Sequence, residues 1–245
     1  HRPGRGGHGP DERLSLAHPP LDGSQPMTRI LVLNPNSSVG VTKDMDAALD
    51  LLRAPGGPEI VCEALLEGPP GIETQEHVES VVLPIARHFA ARAADAYVIG
   101  CFSDPGLALA RENLGKPVLG IAESAFHLAI GLGQRFGIVA IKQGSIPRHM
   151  RHVRSLGFES RLAGDRPLGV GVTEMSGEGV IDRIIAVGRE LRDRDGADVL
   201  ILGCASMGGY RAAVEEVLGL PVVDPTQAAV ARAIALLSLG YRKAV

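Results

Sequence analysis

From Met27 onward, short apolar runs rich in β-branched residues alternate with longer amphipathic stretches. The runs RILVL, EIVCEAL, AYVIG and PVLGI read as strands, with helices predicted near 39–53 and 75–93. The rhythm then starts again. FGIVAI is a strand, followed by a helix near 146–156, a weaker strand near 157–162, a helix near 178–194, and the strands VLILG and PVVD. Such apolar strands, alternating with helices, belong to parallel sheets covered on both faces. The pattern predicts an α/β fold of two lobes, each a mostly parallel sheet flanked by helices.

The second lobe repeats the first in its residues as well as its rhythm. ADAYVIGC, ending at Cys101, matches ADVLILGC, ending at Cys204, and KPVLGI matches LPVVDP. RILVLNPNSS (29–38) aligns likewise with FGIVAIKQGS (136–145). Internal duplication of this kind marks a pseudo-two-fold protein. The lobes are expected at 27–123 and 124–224, with a C-terminal helix, 225–245, packing back on the first. Residues 1–26 are rich in Gly, Pro and His and have neither periodicity nor a signal-like apolar core. They are expected to be a disordered extension ahead of a natural start at Met27.

Composition narrows the function. The chain has 245 residues, 45% of them hydrophobic but only 3% aromatic, and a formal net charge of −3. That balance gives no pull toward nucleic acid, and no apolar run approaches the roughly 20 residues needed to cross a bilayer. Three cysteines, an odd number, point away from a disulfide scaffold and toward the reducing cytoplasm. A small-molecule substrate is expected. His149 and His152 have metal-compatible spacing, but no further motif completes a site, so no metal is expected. Arg148, Arg151 and Arg154 read as a solvated ridge. The glycines of GLGQRFG precede a strand instead of following one, which excludes a dinucleotide loop, and GCASMGG lacks the frame of a serine nucleophile elbow.

The chemistry centres on Cys101 and Cys204. Both lie just past strand ends, where open parallel sheets bind ligands, and facing lobes would bring them together. Gly100 and Gly203 are expected to let backbone approach a ligand, and helix N-termini beyond the loops to lower the thiol pKa values. Two opposed acid–base groups with pKa values near the working pH can invert a carbon-acid stereocentre. One takes a proton from one face and the other returns a proton to the opposite face. Backbone N–H groups after each cysteine are candidates to hold the enolate oxygen, and no cofactor is needed. Cys62, in mid-strand, is assigned to the core. Three rivals stand beside this reading: a disulfide between the pair, a non-catalytic two-lobed binding protein, and a thiol hydrolase, for which His127 is the nearest partner.

NPNSS at 34–38, CFSDPGL at 101–107, GIAES at 120–124 and GCASM at 203–207 resemble the Asp/Glu/hydantoin racemase superfamily, in particular its hydantoin and allantoin racemases. The resemblance implies two pseudo-symmetric lobes, a site between them, cofactor-free catalysis by Cys101 and Cys204, and a homo-oligomer. It implies a 5-substituted hydantoin or allantoin-like ureide as substrate, with an amino acid as the alternative. Asn34, Asn36, Phe102, Ser103, Glu123, Ser145, Ala205 and Ser206 are the candidate substrate-binding residues. Ser37 and Ser38 read as helix caps, and Asp104 as a cap of the helix after it. Lys142 stands where many hydantoin racemases carry threonine, and could pair with a substrate carboxylate. Decarboxylases of the superfamily usually keep only the second cysteine, so Cys101 argues against that activity.

Overall fold

The computed structural model describes residues 28–241. The expectations for residues 1–26, for Met27 and for the last four positions lie outside the described residues. Among the described residues, eight strands form two four-stranded parallel sheets. The first holds β1 (Arg29–Asn34), β2 (Glu59–Ala64), β3 (Ala96–Ile99) and β4 (Val118–Gly120) in the order β2-β1-β3-β4. The second holds β5 (Phe136–Ala140), β6 (Leu162–Pro167), β7 (Val199–Leu202) and β8 (Val222–Val223) in the equivalent order β6-β5-β7-β8. The two-lobed α/β expectation is thereby met.

Both faces of each sheet are covered, which is why the strands carry so few polar residues. On the first sheet, Leu31, Leu33, Tyr97 and Ile99 pack under α2 (Gln75–Ser80), α3 (Val82–Ala90) and α4 (Leu107–Asn113). The alternate residues Ile30, Val32 and Val98 meet α1 (Val39–Ala48) and α9 (Pro225–Ser238). On the second sheet, Val139, Leu200 and Leu202 pack under α7 (Val180–Asp193) and α8 (Arg211–Leu218). Phe136, Ile138, Val199 and Ile201 meet α5 (Ile121–Leu132) and α6 (Ile146–Ser155). The period-2 alternation of strand side chains sorts these sets onto opposite faces.

The lobes exchange a helix. α5 leaves β4 of the first sheet and packs on β5, β7 and β8 of the second, while α9 leaves β8 and packs on β1, β3 and β4. The two exchanged helices also pack against each other.

Local chemistry explains three departures from the periodicity. The helix expected over 75–93 is two, broken at Val81. Pro84 lacks the N–H that would continue the ladder, so the helix restarts with Pro84 in its first turn. The helix expected over 39–53 ends at Ala48 and tightens into a 3-10 turn at Asp50–Leu52. The weak strand expected at 157–162 instead begins at Leu162. Gly157, with φ +76°, ends α6 and a 3-10 turn occupies Glu159–Arg161. β6 is a half-buried edge strand, and its Arg166 bonds Asp195 and Glu190.

Candidate active site

Within each sheet the crossovers change direction between two central strands, β1 and β3 in the first and β5 and β7 in the second. Crevices at such points, beyond the strand C-termini, are where open α/β sheets bind ligands. Loops from all four strand ends meet on one cavity. It offers about 30 Å3 to the centres of water-sized occupants and about 420 Å3 of empty space counted out to its mouth. β1 contributes Asn36, β3 contributes Cys101, Phe102 and Ser103, β5 contributes Ser145, and β7 contributes Cys204 and Ala205.

The two thiols reach the cavity by the same construction. Gly100 N–H donates to Leu33 O (2.8 Å) and Gly203 N–H to Val139 O (2.9 Å), so each cysteine follows a residue clamped to the neighbouring central strand. A Cβ on Gly203 would stand 2.6 Å from Val139 O, and one on Gly100 3.0 Å from Leu33 O. These glycines are required by strand-to-strand approach, and both also line the cavity, where their backbone is open to a ligand.

Both thiols are free, so the disulfide rival does not describe this structure. Burial pushes the Cys101 thiol up to about 12, partly offset by the Ser103 backbone N–H and by Arg148. Cys204 is pushed up by the same cause, offset by the Ser206 side chain and the N–H groups of Ser206 and Ala205. Ser206 Oγ lies 3.2 Å from Cys204 Sγ. The expected lowering by helix N-termini is thus corrected. α4 begins only at Leu107, and a 3-10 turn, Ala205–Tyr210, follows Cys204, so desolvation outweighs the dipole. The amides of Ser103, Ala205 and Ser206, candidates for an enolate oxygen, also favour the thiolate form of the neighbouring cysteine.

The remaining candidates divide. Asn36 is buried, and its Oδ1 accepts from Ser38 N–H (2.9 Å) and Asn34 Nδ2 (2.9 Å). A backbone N–H can only donate, so the oxygen is fixed there and the NH2 is the group left for a ligand carbonyl. Phe102 forms an apolar wall, edge-on to Phe126 (5.6 Å) and to His149 (5.0 Å). Asn34 stands behind the cavity, not on it. Its Nδ2 donates to Asn36 Oδ1, Thr42 Oγ1 and Ser38 O, stapling the loop, while Ser38 caps α1. Ser206 sits beside the Cys204 sulfur and outside the lining. Glu123 is also off the cavity, accepting from both terminal nitrogens of Arg111 (2.9 and 3.0 Å) with Arg232 at 3.9 Å. Lys142 is engaged with the Glu73 carboxylate, which corrects its assignment to a substrate carboxylate. His127 is turned to Glu123 O and Phe158, so it gives no support to a thiol hydrolase.

Asp104 caps a different helix from the one expected. α4 is preceded by Gly106 at φ +71° with no side-chain cap, whereas the Asp104 carboxylate accepts from Ala122 N–H (3.0 Å) and Glu123 N–H (2.8 Å) at the start of α5. In the second lobe the equivalent helix, α9, is capped by its own Asp224, which accepts from Gln227 N–H (2.7 Å). The matching position in the first lobe is Gly120, where a Cβ would collide with the Asp104 carboxylate. One lobe caps locally and the other from a distant loop. Burial raises both carboxylates to about 7, and each raises the pKa of the cysteine in its own lobe.

Besides the apolar lining of Val41, Ile72, Ile141 and Val172, two ionisable cavity residues escaped the sequence reading. Arg148, taken for part of a solvated ridge, turns inward, while Arg151 and Arg154 pair outside with Gln75 and Glu159. His149 is buried, with Nδ1 2.8 Å from Asp165 Oδ2. The signal was present, because positions 145, 148 and 149 share one helical face. Among the described residues no cluster of His, Cys, Asp and Glu could hold a metal ion.

Comparison with known proteins agrees with this geometry. Residues 30–233 match the family described as Asp/Glu/Hydantoin racemase. The hydantoin racemase of Paenarthrobacter aurescens is 34% identical over 230 residues, covering 87% of this chain and 93% of that protein. The structure of the allantoin racemase from Klebsiella pneumoniae superposes with a TM-score of 0.84 at 29% identity, covering 89% of this chain and 90% of that one. The glutamate racemase from Francisella tularensis shares the fold alone, with a TM-score of 0.65 at 16% identity and coverage of 87% and 82%. With two pseudo-equivalent thiols on one inter-lobe cavity and a family match spanning both lobes, the chain belongs to the Asp/Glu/hydantoin racemase family and is an isomerase.

Proposed function

We propose that the chain is a cofactor-independent racemase of a 5-substituted hydantoin or an allantoin-like ureide, with Cys101 and Cys204 as its acid–base pair. The observation that carries this reading is the placement of two free thiols at equivalent strand ends on one cavity. The thiolate of one cysteine takes the proton from the stereocentre. The C–H electron pair moves into the adjacent carbonyl as an enolate, and the thiol of the other delivers its proton to the opposite face. The roles exchange for the other enantiomer. The Asn36 NH2 suits the carbonyl edge of such a ring, and Val41, Ile72, Ile141 and Val172 offer an apolar surface for its substituent. An amino-acid substrate finds less support, since Lys142 and Glu123 already have protein partners. The same reading takes the enzyme to be a cytoplasmic homo-oligomer with lobes divided at 123 and 124.

Solvent deuterium incorporation into each enantiomer of a hydantoin panel, allantoin, aspartate and glutamate tests it. Wild type should exchange and racemise a cyclic ureide, and Cys101→Ala and Cys204→Ala should both lose racemisation. Exchange confined to one enantiomer in each variant would assign each thiol its face. Full racemisation by either variant overturns the two-thiol mechanism, and activity on aspartate or glutamate alone overturns the substrate class.

A further inference from the structure

Both thiols are desolvated, so the charge that one of them must carry needs a partner. Arg148 is the cavity-lining cation. From α6 in the second lobe it reaches the first, with Nη2 donating to Glu73 O (2.9 Å) and Ser145 Oγ (3.2 Å) and Nη1 to Gly144 O (2.8 Å). Every one of those acceptors is neutral. Its Nε is buried without a partner. Among the described residues no carboxylate lies within ion-pair distance of it, whereas Lys142 has Glu73 and Arg111 has Glu123. A half-buried guanidinium without a counter-ion, and with one N–H unmet, is built to receive an anion.

The charged and titratable surroundings identify that anion. Arg151, on the same helix, opposes the Arg148 charge, and Cys101 is the neighbour whose ionised form supports it. Cys101 in turn faces Cys204 and Asp104, both unfavourable to its charge, with Arg148 the favourable ion. His149, also on the wall, is committed through Nδ1 to Asp165. The charged neighbour of Cys204 is instead Asp224.

We propose that Arg148 is the counter-cation of the Cys101 thiolate, a positioning residue that sustains negative charge on one thiol of the pair. The inference rests on the two-thiol reading above for its catalytic meaning. In the step it assists, Cys101 S–H loses its proton to water. The thiolate then forms an S–H bond with the substrate proton as the C–H pair passes to the carbonyl, and Cys204 protonates the other face.

Alkylation by iodoacetamide reads thiolate without any substrate, so its outcome is separate from that of the racemase assay. The rate at Cys101, Cys204 and Cys62 is followed by peptide mass mapping from pH 7 to 10 in wild type, Arg148→Met and Arg148→Lys. Loss of the cation should slow Cys101 at least about tenfold, equivalent to a pKa rise of about one unit, with Cys204 and Cys62 within about threefold of wild type. Arg148→Lys should recover most of the rate. The proposal is overturned if Cys101 in Arg148→Met keeps its wild-type rate, or if the Lys variant is as slow as the Met one. A Met variant that unfolds announces itself by faster alkylation of Cys62. Arg148→Gln against Arg148→Lys then makes the same comparison, with equal Cys101 rates in the two overturning the proposal.

Discussion

Asp224→Asn isolates the cost of a buried charge at the start of α9. The carboxylate accepts from Gln227 N–H through Oδ1, while Oδ2 is buried without a partner. Burial raises its pKa from 3.8 to about 7. An acid raised on folding binds its proton more tightly in the native state, so its contribution is favourable at low pH and is lost as pH climbs from 3.8 through 7. Integrated between pH 5 and 8.5, the loss is about 2.5 kcal/mol. Asparagine keeps the capping oxygen and removes the titration. Urea unfolding followed by far-UV circular dichroism at the two pH values, with unchanged m-values, should show the wild type losing about 2.5 kcal/mol more than Asp224→Asn over that interval. Asp104, with the same sign, is present in both proteins and cancels. Curves that stay parallel within about 0.5 kcal/mol would refute the reasoning, because Asp224 would then ionise alike in both states.

Two further substitutions probe the site's framework. Gly203→Ala drives a Cβ to 2.6 Å from the backbone oxygen of Val139, and should destabilise by roughly 1–3 kcal/mol in urea. Gly100→Ala mainly meets the end of the unbranched Met45 side chain, which can change rotamer, with Leu33 O at 3.0 Å, and should be the milder change; an equal or reversed order would contradict the packing argument. Lys142→Met removes the partner of Glu73 at a partly exposed pair and should lower stability by at most about 1 kcal/mol, with KM for a ureide changed less than about threefold. A tenfold rise in KM would return Lys142 to the substrate.

The strand ends were legible because duplication aligns them in the chain. ADAYVIGC and ADVLILGC place Cys101 and Cys204 without reference to any tertiary contact. Asn36 was legible for the same reason, lying in the loop that must follow β1. What escaped depended on partners far apart in sequence. Glu123 and Lys142 looked free for a ligand until folding supplied Arg111 and Glu73. The solvated look of Arg148 came from two neighbouring arginines that do face outward. Thiol acidity was misjudged because a loop motif shows a helix nearby but not the depth of burial. Asp104 is instructive: the pairing of Gly120 with Asp224 in the duplicated strands already marked a missing cap, and only the loop geometry shows which residue fills it.

The exchange of α5 and α9 sets the order in which this chain can finish folding. The first sheet is complete in sequence by Gly120, yet the helix burying Ala229, Val230 and Ala233 against β1, β3 and β4 begins only at Pro225. Gln227 Nε2 donates to Ala48 O at 2.9 Å across that span. During synthesis the first half must therefore wait, the apolar face that α1 shares with α9 only partly covered, while the ribosome makes the whole second half. Contacts of such sequence separation fold slowly and leave the nascent chain open to aggregation. Removal of the last helix would strip the half of the molecule encoded first.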